Sequence, residues 1–315
     1  VIISTYKIST YKIGIAVLLC ASSLYAQAPI DIERKTADGE YMAALTMYDR
    51  MPKRILTPLS IIAAAKSAWA LGLSERALAE YDTVIRSEKL SVLELSRVNF
   101  AKAAIFLQQQ KYQLAVLSVD EALSKLKTPS PLRGAMLMLR AQALAAQNLY
   151  PGAVEILLRA QSEIAEESQI EFNYLLGKSL TQVGRYAEAK DVLRKIPSTH
   201  ERAPDGIREL IHISDAEGDY KKAAMWVTKG RESYPDSFLD SWCDYLLVQG
   251  AIAADNGSAD AREEIKLLKQ TALKRLAPSD SWLALIIAAV EQHSWANGQA
   301  ISQAGLLRNN GGQHE

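Results

Sequence analysis

The sequence predicts an all-α chain built of antiparallel helix hairpins. Three observations carry this: a helix-forming composition, a column of alanines at near-regular intervals, and columns of tyrosines and turn residues in register with it. Of 315 residues, 49% are hydrophobic and 23% charged, enough to bury a sizeable core. Alanine and leucine are abundant, aromatics make up 7%, and the few glycines and prolines fall between apolar stretches. Signals for strands are almost absent.

The recurring element is a small residue followed four positions later by a bulkier one. It stands at Ala44/Tyr48, Ala77/Tyr81, Ala115/Val119, Ala153/Leu157, Ala189/Leu193 and Ala223/Val227, and successive alanines are 33, 38, 38, 36 and 34 residues apart. Three residues before the alanine lie Tyr41, Tyr112, Tyr150, Tyr186 and Tyr220, with Ser74 in the second repeat. Five residues before it lie Gly39, Gly72, Gln110, Asn148, Gly184 and Gly218, a column of turn residues. Twelve residues before it lie Ala65, Ala103, Ala141 and Gly177, with Ile32 and Ile211 departing from the small-residue rule.

Each repeat is therefore read as a first helix, a tight turn and a second helix. The first repeat has few residues for its first helix and is expected to act as a cap. Pro129-Ser130-Pro131 marks the joint before the fourth, where the interval stretches to 38 residues. In the fifth, YLLGKSLTQVGRYAEAKDVL places Gly177 in the first helix, Gly184 at the turn and Ala189 in the second; Gly177 against Ala189 would allow close approach of the axes. Pro235 closes the sixth. Beyond it the pattern weakens: Ala261/Ile265 and Ala300 continue it, Ser279-Asp280 supply capping residues, and WLALIIAAV from Trp282 to Val290 reads as a helix buried between neighbours.

These columns resemble the tetratricopeptide repeat family, whose unit of about 34 residues is a helix, a turn and an antiparallel helix. The domain reading is residues 1–28 as a signal peptide, 29–235 as six repeats, 236–309 as degenerate helical repeats with a cap, and 310–315 as a disordered tail. The resemblance implies a right-handed superhelical solenoid of these hairpins, with a concave groove lined by the first helices that holds a protein or peptide partner. Transferred position by position, it assigns the groove to Ile62, Lys66, Trp69, Phe100, Leu107, Met138, Gln142, Tyr174, Lys178, Arg208 and His212. The apolar members fall mainly in the N-terminal half and the polar ones in the C-terminal half. The lysine and asparagine clamp of the chaperone-tail-binding members is not found at these positions.

Lys7 and Lys12 precede the apolar run IGIAVLLCA and the segment SSLYAQA, the layout of a secretory signal peptide with cleavage after Ala26 or Ala28. The run is shorter than the ~20 residues a membrane span needs, so no integral span is expected in the mature protein and the periplasm is the expected location. Lipidation at Cys20 ranks below this, because Leu19 stands where a small residue is expected. Without that segment Cys243 is alone and has no partner for an internal disulfide.

The charge balance argues against nucleic acid as a partner, with 36 basic and 36 acidic residues. The GKS fragment at Gly177 lacks the earlier glycine of a phosphate loop, since Phe172 occupies that position. His200, His212, His293 and His314 stand without a second ligand at metal spacing. Asn256-Gly257-Ser258 reads as a turn rather than a glycosylation site. No catalytic, cofactor or metal residue is assigned; oligomeric state is left open. The expected function is a noncatalytic periplasmic scaffold in a cell-envelope assembly serving pili, secretion, polysaccharide export or outer-membrane transport. The alternatives are an envelope enzyme or regulatory subunit with a site in the C-terminal repeats, and a lipid-anchored assembly factor.

Overall fold

A computed structural model describes the backbone of residues 28–311 and the side chains of residues 28–299. The expected signal segment, its Cys20 and the cleavage position after Ala26 lie outside the described residues. The chain divides between Ala165 and Glu166 into two bodies. Among the described residues the regular structure is helical, with no strand.

The N-terminal body contains α1 (28–37), α2 (Tyr41–Arg50), α3 (Pro58–Ala70), α4 (Ser74–Arg86), α5 (Val92–Gln108), α6 (Tyr112–Lys125), α7 (Pro131–Ala145) and α8 (Tyr150–Ala160). The C-terminal body contains α9 (Gln169–Gln182), α10 (Tyr186–Leu193), α11 (Ala203–Ala216), α12 (Tyr220–Ser233), α13 (Ser241–Ala254), α14 (Ala259–Arg275) and α15 (Ser281–Gly311). Consecutive helices pack as hairpins, and first helices also touch first helices: α5 on α7, α9 on α11, α13 on α15.

The sequence columns have physical counterparts. All six reference alanines are fully buried, and the tyrosine column, with Ser74, supplies the first residue of α2, α4, α6, α8, α10 and α12. The turn column is where the backbone turns left-handed, with φ between 59° and 79° at Gly39, Gly72, Gln110, Asn148, Gly184 and Gly218. At each turn the next residue's N–H reaches back five positions, as in Leu73 to Ala68 at 2.8 Å and Arg185 to Leu180 at 3.0 Å. This is the 6→1 bond of a Schellman ending, which satisfies a carbonyl orphaned by the helix end.

Helix starts follow local chemistry as well. Ser91 and Glu94 form a reciprocal capping box on α5, and Ser130 caps α7 ahead of Pro131 at its first position. Between α13 and α14, Ser258 caps the helix and Asn256 and Asp255 accept N–H bonds within the turn around Gly257. The Asn-Gly-Ser segment is thus a helix connection, as read from the sequence.

Two expectations need correction. The nearest neighbour of Gly177 is Leu193 rather than Ala189: a Cβ there would lie 2.5 Å from Leu193 Cδ2, so the closest approach is to the side chain one turn further along α10. The last repeat is not a hairpin, because α15 continues through Asn297 and Gly298 to Gly311 without a turn. WLALIIAAV packs against α13 and α14, as expected of a helix between neighbours. Leu283, Ile286 and Val290 are buried at helical spacing while Leu285 is exposed, so α15 buries one stripe.

Candidate functional site

In the N-terminal body the assigned side chains divide between exposed and packed. Lys66 on α3 is exposed, and Ile62, one turn earlier, is half-buried against the core of α3, α4 and α5. Both border a cavity of about 100 Å³ with Arg97 and the buried Tyr81. Trp69 is half-buried, and its indole N–H donates to Gln108 Oε1 on α5 at 3.0 Å. Phe100 and Leu107 cover the buried cluster of Ala103, Ala115 and Val119. Met138 is 8% exposed and belongs to the interior, so little of it is offered to a partner; Gln142, one turn on, is half-buried.

The C-terminal body presents a denser arrangement. Tyr174 on α9 lies under the Arg202 guanidinium at 5.1 Å and near Lys178 Nζ at 6.0 Å. Partial burial, then the charges of Asp205 and Glu209, push its phenol pKa up to about 12, so the hydroxyl stays protonated. Arg202 is itself held by Glu171 at 2.8 Å and Asp205 at 3.1 Å. Glu209 is buried with Oε2 lacking a hydrogen-bond partner, and burial raises its pKa.

On α11, Arg208 pairs with Asp240 at 3.0 Å, donates to the Ser237 carbonyl at 2.6 Å and sits 5.1 Å above the Phe238 ring. His212 stacks on Trp242 of α13 with ring centroids 4.4 Å apart and planes 22° from parallel. Desolvation and then the Arg208 charge lower its pKa, leaving a neutral imidazole at physiological pH. The Trp242 indole N–H donates to Asp215 Oδ2 at 3.1 Å. Tyr174 with Lys178, and Arg208 with His212, are thus placed in contact-rich clusters on first helices.

Sequence reasoning missed Arg202, Asp240 and Trp242. They lie in a loop or at a helix start, outside the first-helix positions that the family pattern marks. It also left His293 as an isolated residue. The fold sets its Nε2 2.8 Å from Asp255 Oδ2, across 38 positions of sequence, beside a cavity between α14 and α15. No spacing rule signals a pair made by the α13–α14 turn and the middle of α15. The GKS fragment lies inside α9, where the Ser179 hydroxyl donates to the Leu175 carbonyl at 2.7 Å. Among the described residues no group of three or more His, Cys, Asp or Glu is placed to hold a metal, and no helix is long and apolar enough to cross a membrane.

No family model matches the sequence, and no curated protein matches it. Solved structures do. The C-terminal part of a tetratricopeptide repeat-containing protein from Cytophaga hutchinsonii superposes with a TM-score of 0.57 at 15% identity, covering 79% of this chain and 99% of that one. PilF of Pseudomonas aeruginosa gives 0.54 at 15% identity, covering 68% of this chain and 95% of that one. The apo form of RapI gives 0.58 at 14% identity, covering 81% and 76%. At such identities the likeness is one of fold, and it agrees with the hairpin register and the left-handed turns: the chain has the tetratricopeptide-repeat fold.

Proposed function

We propose that the protein is an interaction scaffold whose first helices bind a protein or peptide partner, and that it works in the periplasm as part of a cell-envelope assembly. The observation that carries the binding reading is the strip of Tyr174, Arg208, His212 and Trp242 on α9, α11 and α13. Aromatic and arginine side chains, partly exposed and pre-positioned by stacking and ion pairs, are the types that dominate binding energy at protein interfaces. Ordered rings and paired guanidinium groups lose little rotamer freedom on association, which favours affinity. The location rests on the basic, apolar and small-residue layout of residues 1–28.

Site-specific photo-crosslinking tests the binding face. A photoreactive residue at exposed position Lys66 or His212 should capture a discrete partner in intact cells, whereas one at exposed Lys222 on α12 should not. Equal capture at all three positions would refute a first-helix binding face. Fractionation of the same cells checks the compartment, and recovery in the cytoplasm would refute the periplasmic assignment while leaving the scaffold reading intact.

A further inference from the structure

Helices α14 and α15 border a cavity of about 440 Å³ that the scaffold reading does not use. That size is within the roughly 300–1,000 Å³ of small-molecule sites. Arg262, Lys266 and Lys269 line it from α14, spaced four and three residues apart and so on one helix face. His293, Ser294 and Asn297 line it from α15, and Ile265 and Val290 form its apolar floor. None of these described lining residues is acidic, so the lysines on it find their carboxylate partners outside the lining.

Their present partners are weak ones. Lys266 reaches Glu263 at 3.2 Å and Lys269 reaches Glu291 at 3.5 Å, and both carboxylates are about two-thirds exposed, at 70% and 68%. Exposed pairs of this kind contribute little and give way to a better anion. Arg262 spends one N–H on the Gly257 carbonyl at 2.7 Å, leaving most of its five donors free. His293 is oriented from behind: Asp255, with its side chain 3% exposed, holds Nε2 and also receives the Asn297 amide at 3.4 Å. A carboxylate that fixes one ring nitrogen sets the direction of the other, the arrangement used wherever an imidazole must point at a ligand.

We propose that this cavity is a binding site for a phosphate group, as inorganic phosphate or as the phosphate monoester of a small molecule or lipid headgroup. Three cationic side chains on one helix and polar side chains on the facing helix match a tetrahedral oxyanion of charge about −2 better than a singly charged carboxylate. The apolar floor lowers the local dielectric and strengthens each charge-assisted bond. The proposal is independent of any partner on the first helices.

The test titrates the full chain with inorganic phosphate by calorimetry, at ionic strength held constant with chloride. A parallel arm floats the chain with vesicles of phosphatidylcholine alone or with added phosphatidic acid. Saturable phosphate binding should weaken at least tenfold in the double variant Lys266→Ala/Lys269→Ala and stay unchanged in Lys221→Ala/Lys222→Ala on α12, with far-UV circular dichroism confirming the fold of each. Capture by phosphatidic acid vesicles without binding of free phosphate, lost in the same double variant, would also support the site and assign it to a lipid headgroup. Binding that survives Lys266→Ala/Lys269→Ala, or no binding in either arm, overturns it.

Discussion

Gly177 offers a direct measure of how closely the two helices of one repeat approach. A methyl group at this position of α9 would sit 2.5 and 2.6 Å from Leu193 Cδ2 and Cγ, well inside van der Waals contact, and Leu193 is only 2% exposed. Relief requires Leu193 to leave its rotamer or α10 to move, an overpacking cost of about 1–3 kcal/mol. Against this, alanine is about 1 kcal/mol better than glycine inside a helix. Gly177→Ala should therefore destabilise by about 0–2 kcal/mol net. In a Leu193→Ala background the clash is gone, and the same substitution should stabilise by about 1 kcal/mol. A double-mutant cycle by chemical denaturation, followed by far-UV circular dichroism, reads the difference as a coupling of about 1–3 kcal/mol. Equal effects of Gly177→Ala in both backgrounds would refute the packing argument.

The remaining expectations concern turns, a buried ion pair, a titrating carboxylate and a thiol. Gly184 has φ 77° with open space around its Cβ position, so Gly184→Ala should cost about 1–2 kcal/mol through backbone strain alone, whereas Asn148→Gly at φ 60° should be neutral or stabilising in the same denaturation assay. Asp244, its side chain 8% exposed, accepts from Arg231 at 2.7 Å and from Arg275, so Asp244→Ala strands two guanidinium groups and should lower stability by about 3 kcal/mol. The Gly257 N–H and then His293 hold the Asp255 pKa below its ordinary value. Its contribution is therefore present above the unfolded value of about 3.9 and is lost as pH falls through the folded one. The stability gap between the parent and Asp255→Asn should narrow in denaturation midpoints as pH drops below about 4. Burial, and then the charge of Asp240, push the Cys243 thiol up to about 12. In a Cys20→Ala background the native protein should resist a thiol-specific disulfide reagent at mildly alkaline pH, and react once unfolded.

The hairpin architecture was legible in the residues because each repeat solves the same local problem with the same chemistry. A helix that must end and reverse within three residues needs a left-handed position, and Gly72, Gly184 and Gly218 supply it where Gln110 and Asn148 tolerate it. A second helix that must lie against its own first helix and the next one needs a small side chain, and Ala77, Ala115 and Ala189 are all fully buried. These demands act over a few turns of chain, so they leave a period. The end of the chain shows where that stops. Ala300 holds the next place in the alanine column, yet α15 runs through it to Gly311 as one helix with no turn before it.

The candidate sites belong to the second kind of information. The sequence determined that first helices alternate with second ones, and hence that Lys66, Tyr174, Arg208 and His212 lie on first helices. Tertiary structure alone decided that Met138 is interior, that His212 rests on Trp242, that Arg202 covers Tyr174, and that His293 and Asp255 meet beside a cationic cavity. The physical reason is range: capping, turn strain and small-residue packing are paid within one hairpin and recur with it, whereas a site is assembled once, from side chains that only the stacking of separate helices brings within reach.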